Sequence, residues 1–303
     1  MPFAIEQKLV VAVASSALFD LGEADRVFRE CGEEAYREYQ REHENDVLGP
    51  GVAFPFIKRL LSFNRPEGDS PVEVILLSRN DPDTGLRVFN SIEAHGLDIT
   101  RAAFLNGSAP FRYIPGFNAS MFLSANATNV EEAIMAGYPA GLVLDSVIND
   151  DSDDVELRVA FDFDGVVADD AAEQVFQRDG LEAFQQSESE QANTPHNAGP
   201  LQELLLKIAR LQELEKTRAA SLQSYEPRLK VAIITSRNAP SHKRVVTSLR
   251  EWGITIDQTF FLGGMNKSRI LEIFRPHIFF DDQKLHLDGA TTVAPCVHVP
   301  VGR

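Results

Sequence analysis

Four short stretches of the sequence carry carboxylate, hydroxyl and ammonium groups at spacings that suit chemistry on a phosphate ester. Asp162 and Asp164 flank Phe163 and precede Gly165. With the two-residue period of a strand, both carboxylates project to one side where the strand ends. Thr235 and Ser236 close a second apolar run. A hydroxyl and free backbone N–H groups at such a strand-to-helix junction hold phosphate oxygens well. Lys267 follows Gly263-Gly264 and opens the helical pattern KSRILEIF. Asp281 and Asp282 end the run Ile278-Phe279-Phe280, and adjacent carboxylates repel each other unless a cation lies near. Each stretch alone has an ordinary use as a turn, a helix cap or a solvated charge. Together, in this order, they provide an acidic pair, an oxyanion cradle, an ammonium group and ligands for a divalent cation, which is the equipment of a metal-dependent phosphatase.

The elements that must position these groups read as alternating strands and helices, the pattern of a parallel α/β fold. The runs 9–15, 72–78, 157–164 and 229–236 are apolar almost throughout, as strands buried on both faces are. Helical patterns lie at 24–43, 84–96, 199–216 and 241–253, the last closing at Gly253. Ligands of open parallel sheets bind at the carboxyl ends of the strands, where all four stretches fall.

The chain also repeats itself. LVVAVASSA (9–17) matches LRVAFDFDG (157–165), and VILLSRN (74–80) matches AIITSRN (232–238). Residues 88–107 match 245–264, and MFLSAN (121–126) matches IFFDDQ (278–283). The offsets of 148, 158, 157 and 157 residues keep one order, so two copies of one α/β unit are expected, at 1–148 and 155–303. The acidic stretch NDDSDDVE (149–156) would be a solvated linker. Where the second copy has Asp162, Asp164, Thr235, Lys267, Asp281 and Asp282, the first has Ala14, Ser16, Leu77, Pro110, Ser124 and Ala125. That pattern puts the chemistry in the second copy alone.

Composition narrows the partners. With 29 Lys and Arg against 45 Asp and Glu, the formal charge of −16 argues against nucleic acid. A small phosphate ester remains compatible, because a few local cations suffice. Two cysteines, Cys31 and Cys296, cannot build a disulfide framework, which suits a reducing compartment. The start, MPFAIEQK, has no basic signal region, and the longest apolar stretch, Leu9 to Phe19, is too short to span a membrane. A cytoplasmic soluble protein is expected.

The ordered set of D-x-D, Thr/Ser, Lys and Asp-Asp over 157–283 resembles the haloacid dehalogenase superfamily of phosphatases. A closer resemblance covers nearly the whole chain. VAVASSALFDL (11–21), PVEVILLSRNDPDTGLRVFNSI (71–92), AFLNG (103–107), VAFDFDGVVADDAAE (159–173), GPLQELLLKIARLQ (199–212) and FFDDQ (279–283) look like the cytosolic type I 5′-nucleotidase family. The resemblance implies a Rossmann-like core with a parallel sheet, a small cap inserted at about 166–198, and a degenerate, non-catalytic N-terminal half. It implies magnesium-dependent hydrolysis of nucleoside 5′-monophosphates through an aspartyl-phosphate. Asp162 would be the nucleophile. Asp164 would be the acid and base, and so the carboxyl of raised pKa. Thr235, Ser236 and Lys267 would bind the phosphoryl oxygens, and the metal would take Asp162, the Asp164 carbonyl and Asp281 or Asp282.

Phe176, Phe184 and Tyr225 are candidates to stack on the base, each with core packing as its other use. The alternatives are a phosphatase for another small monoester such as a sugar phosphate, and a nucleotide-binding regulatory module. Subunit number stays open, a homo-oligomer included.

Overall fold

Strands form where Val, Ile, Leu and Phe run without interruption, because helices covering both faces leave no side of the sheet for water. The computed structural model describes residues 5–65, 68–148, 150–151 and 153–301. Residues 1–4 of the N-terminal stretch, and Asn149 and Ser152 of the acidic linker, lie outside the described residues. The chain divides into two compact units between Val143 and Leu144.

The first unit runs β1 (Leu9–Val13), α1 (Ser15–Leu18), α2 (Gly22–Glu42), α3 (Phe54–Leu61), β2 (Val72–Ser78), α4 (Leu86–Ala94), β3 (Arg101–Phe104), β4 (Met121–Ser124), α5 (Ala127–Met135) and β5 (Ala140–Val143). Its strands lie in the order β3-β2-β1-β4-β5, all parallel. A core of Val10, Ala12, Ile75, Leu77 and Phe122 packs with Val130 and Ala133 of α5.

The second unit runs β6 (Leu157–Phe161), α6 (Ala171–Glu190), α7 (Gln202–Ser221), β7 (Leu229–Thr235), α8 (His242–Glu251), β8 (Gln258–Phe261), α9 (Ser268–Phe274), β9 (Ile278–Asp281), α10 (Lys284–Ala290) and β10 (Cys296–His298). Its order is β8-β7-β6-β9-β10, again parallel, so the first unit's arrangement recurs strand for strand. Ala160, Ala232, Ile234 and Phe279 pack with Leu271 of α9 and Leu287 of α10. The alternate residues Phe161 and Phe280 stack their rings at 5.1 Å. Free thiols stand at Cys31, exposed, and Cys296, buried.

The repeat extends further than the sequence matches suggest. The polar stretch 166–198 is mostly α6, a helix interrupted at Gly180 with φ 83° and ψ −177°. The first unit has the same break in α2 at Gly32, with φ 85° and ψ −176°. Only glycine adopts that conformation at little cost, so the two glycines, 148 residues apart, mark one shared feature. Across each break a ring pair meets edge to face: Phe28 with Tyr36, and Phe176 with Phe184. The pattern read as one helix over 24–43 is therefore two segments.

Candidate active site

Register brings the acidic groups together. Phe161 pairs with Phe280, so Asp162 and Asp281 leave adjacent strands at one level, and the Asp162 N–H donates to the Phe280 carbonyl at 2.8 Å. Thr235 ends β7, paired with Phe261, on the other side of β6. Lys267 stands immediately before α9 and is only 2% exposed. Its Nζ lies 2.9 Å from Asp162 Oδ2 and 2.7 Å from Asp281 Oδ2. One buried ammonium group thus bridges two buried carboxylates.

The charges here do not balance, and the ionisation of each group shows it. Burial is the strongest influence on Asp162; Lys267 opposes it, Asp281 and Asp164 add to it, and the carboxyl stands at about 7. Asp282 is pushed up to about 8, by burial first and then by Asp162 and Asp281. Asp281 goes the other way: against its burial, His286 and Lys267 hold it below the usual carboxylate range. Burial would lower Lys267, but Asp162 and Asp281 keep it above its ordinary value. Burial thus raises two of the strand-end carboxyls, Asp162 and Asp282.

Asp164 faces a partner that the sequence does not announce. Arg237, two residues past Thr235, donates from Nε to Asp164 Oδ2 and from Nη2 to Asp164 Oδ1, both at 2.7 Å. Such a bidentate pair fixes direction as well as distance. Thr235 turns its hydroxyl inward, 1% exposed, and its Oγ1 accepts the Arg237 N–H at 3.2 Å. Ser236, partly exposed, is the outer of the two hydroxyls.

The donor set suits a hard divalent cation. Among the described residues, Asp282 Oδ1 is a buried oxygen with no hydrogen-bond partner. Its carboxylate lies so close to Gly165 that a Cβ there would sit 2.4 Å from Asp282 Oδ2, which explains the glycine at φ 71°. Asp162, Asp281 and His286 also bring ligand atoms within 4.8 Å of one another. That trio is the weaker candidate. Asp281 already takes Lys267 on Oδ2, and on Oδ1 the Gln283 N–H at 2.8 Å and His286 at 3.4 Å. The His286 contact also belongs to the framework: in the first unit Asn129 holds Ser124 in the same way, at 3.4 Å. The free oxygen is on Asp282.

Of the ring candidates, Tyr225 precedes β7 and therefore lies at the opposite edge of the sheet, its hydroxyl donating to Glu215 at 2.7 Å. Phe184 is buried beneath Arg237, whose guanidinium centre lies 5.3 Å from that ring and 5.5 Å from Phe163. Phe176 is exposed. The residues that sequence reasoning missed are Glu188, His196, Arg244 and His286. The repeat carries a signal for two arginines of this group, since Arg237 recurs as Arg79 and Arg244 as Arg87.

Among the described residues no helix is long and apolar enough to cross a membrane. A human protein, cytosolic 5′-nucleotidase 1B, is 34% identical over 289 residues, 93% of this chain and 47% of that protein. The chain thus spans about half the length of this curated relative. A solved structure, that of a Pnkp1/Rnl/Hen1 complex, aligns over 98% of this chain and 97% of that one, at 14% identity and a TM-score of 0.33, too low to bear on the fold. The family model that describes 5′-nucleotidases runs through residues 1–303, so the strand-end carboxylates and their lysine sit in a chain that belongs to the 5′-nucleotidase family.

Proposed function

We propose that this chain hydrolyses nucleoside 5′-monophosphates to nucleoside and phosphate in the cytosol, with Mg2+ as its metal. The observation that carries the reading is Lys267 wedged between Asp162 and Asp281 while a buried Asp282 oxygen stays free, in a member of a 5′-nucleotidase family. The human relative bears a cytosolic 5′-nucleotidase name, which supports both substrate class and location.

A phosphate monoester repels an anionic nucleophile, and its alkoxide is a poor leaving group. Asp162 attacks phosphorus as the P–O5′ bond breaks, and Asp164 gives its proton to the departing oxygen. Water then attacks the aspartyl-phosphate, Asp164 takes the water proton, and phosphate leaves. Thr235, Ser236 and Lys267 hold phosphoryl oxygens, Lys267 also separating Asp162 from Asp281. Asp162, Asp282 and the backbone carbonyl of Asp164 would hold the metal, and carboxylate and carbonyl oxygens suit Mg2+. When bound, it neutralises charge on the phosphoryl group and on the carboxylates around it. Asp281 serves by anchoring Lys267.

The first unit carries none of these charged groups at the matching positions and is proposed to be non-catalytic. In the second, the stretch 166–198, which contains α6, is proposed as the small cap over the site.

The test is phosphate release from a panel of nucleoside monophosphates and sugar phosphates, with and without a chelator. Release from nucleotides that chelator abolishes and magnesium restores is expected. Preference for sugar phosphates would replace the substrate class, and tight nucleotide binding without turnover would leave a regulatory module.

A further inference from the structure

The mechanism above leaves one buried charge cluster unused. Arg237, 4% exposed, meets Asp164 on one side and on the other reaches Glu188, which is 1% exposed and comes from the second segment of α6. Glu188 also accepts from Arg244 of α8 at 2.7 Å, and His196 Nε2 stands 3.0 Å from Arg237 Nη2 and 3.3 Å from Glu188 Oε2. Burial works against the Glu188 charge, yet His196 and Arg237 hold its carboxyl down to about 2. So many desolvated charges are costly to keep where an apolar core would serve stability as well.

The first unit is the internal control. At the position of Glu188 it has Gln40, at His196 Leu48, and at Asp164 Ser16. Both arginines survive there, as Arg79 and Arg87. Arg87 still reaches Gln40 at 3.3 Å, as Arg244 reaches Glu188. Arg79, however, turns instead to Glu132, Asn129 and the Gly107 carbonyl. The fold therefore tolerates the arginine without the cluster. The link from α6 through arginine to the strand end exists only in the unit that has an aspartate to hold.

We propose that Arg237 and Glu188 are positioning residues for Asp164: α6 delivers Glu188 to Arg237, and the planar fork of Arg237 aims the Asp164 carboxyl at the leaving oxygen. The inference rests on Asp164 acting as the acid of the proposed reaction. The fork receives Asp164 in the form it has once its proton has gone to the nucleoside oxygen, which is also the form that takes the next proton from water. A lysine cannot replace this, because a point charge does not fix the plane of a carboxylate.

The test compares a nucleoside 5′-monophosphate with para-nitrophenyl phosphate, whose phenolate leaves without an acid's help. The measured quantity is kcat/KM, which covers the steps up to departure of the leaving group and is blind to hydrolysis of the aspartyl-phosphate. Asp164→Asn sets the reference: a large loss on the nucleotide and a small one on the aryl ester. Arg237→Lys is expected to follow that selectivity, losing on the order of 10- to 100-fold on the nucleotide and less than about threefold on the aryl ester. Glu188→Gln, which keeps shape and hydrogen bonding, should show the same preference to a smaller degree, and it carries the test should Arg237→Lys unfold. Equal losses on both esters in the Arg237 and Glu188 variants, or none, while Asp164→Asn stays selective, would overturn the positioning role alone. An unselective Asp164→Asn would remove the acid role, and this inference with it.

Discussion

Replacing Lys267 by Met keeps the apolar stem of the side chain and removes one charge from between two buried carboxylates. At 2.9 and 2.7 Å, and with an effective dielectric of about 20, each contact has a gross attraction of roughly 6 kcal/mol. Desolvation of the ammonium group offsets most of that, and breaking a buried pair from one side costs about 3–5 kcal/mol. The loss must depend on pH. Near pH 8, in chelator, Asp162 is largely ionised in the parent protein, since its carboxyl stands at about 7, and the variant forfeits both contacts. Near pH 5.5 Asp162 already carries a proton, and Asp281 keeps the Gln283 N–H and His286 as partners. The destabilisation should then shrink to about half or less of the 3–5 kcal/mol expected at pH 8. Urea unfolding of parent and variant at the two pH values measures both numbers, and a melting shift on the order of 10 °C is expected at the higher one. Equal losses at pH 5.5 and pH 8 would refute the reasoning, because they would show that the packed stem of Lys267, not its charge, holds the region.

Asp162 and Asp282 are raised in the folded state, so that state binds more protons than the unfolded chain between about pH 4 and pH 8. Metal-free stability should accordingly fall by a few kcal/mol as pH rises through that window, and Mg2+ should flatten the decline in melting curves. Asp162→Asn retains the acceptor that the Phe163 N–H uses at 2.7 Å, so it should fold; its kcat is expected to drop at least roughly a thousandfold, about 4 kcal/mol, in a phosphate-release assay. Gly165→Ala puts a methyl group 2.4 Å from Asp282 Oδ2 and should weaken Mn2+ binding at least about tenfold by spectroscopic titration. Asp282→Asn should weaken the same binding more than Asp281→Asn does, whereas Asp281→Asn should cost more stability, since it removes one of the two carboxylates that flank Lys267.

What could be read from sequence were the features written in local pattern. The strands are apolar runs, and their carboxylates stand at strand ends, so order along the chain was enough to group Asp162, Thr235, Lys267 and Asp281 before any geometry. Register then did what sequence cannot, setting Asp281 rather than Asp282 against the lysine. In the polar stretch 166–198 Gln, Ser and Glu mask the helical period, although Phe28/Phe176 and Gly32/Gly180 keep the 148-residue offset. Tyr225 was misplaced because composition does not say on which edge of a sheet a ring lies. The Asp164–Arg237–Glu188 chain joins residues 73 and 49 positions apart, and only tertiary packing brings them into contact.

The two units also separate the demands of folding from those of chemistry. Both keep one strand order and the same broken helix. The first builds them with Ala14, Leu77, Pro110, Ser124 and Ala125 at the positions where the second buries charge or hydroxyl groups. Where Lys267 introduces α9, the first unit has Pro110 beginning a short 3-10 turn. The arrangement of strands and helices therefore does not require these residue types, and the raised carboxyls of Asp162 and Asp282 show that burying them works against stability. Groups that a fold can do without, yet retains buried and partly unsatisfied at one strand edge, persist for what they bind.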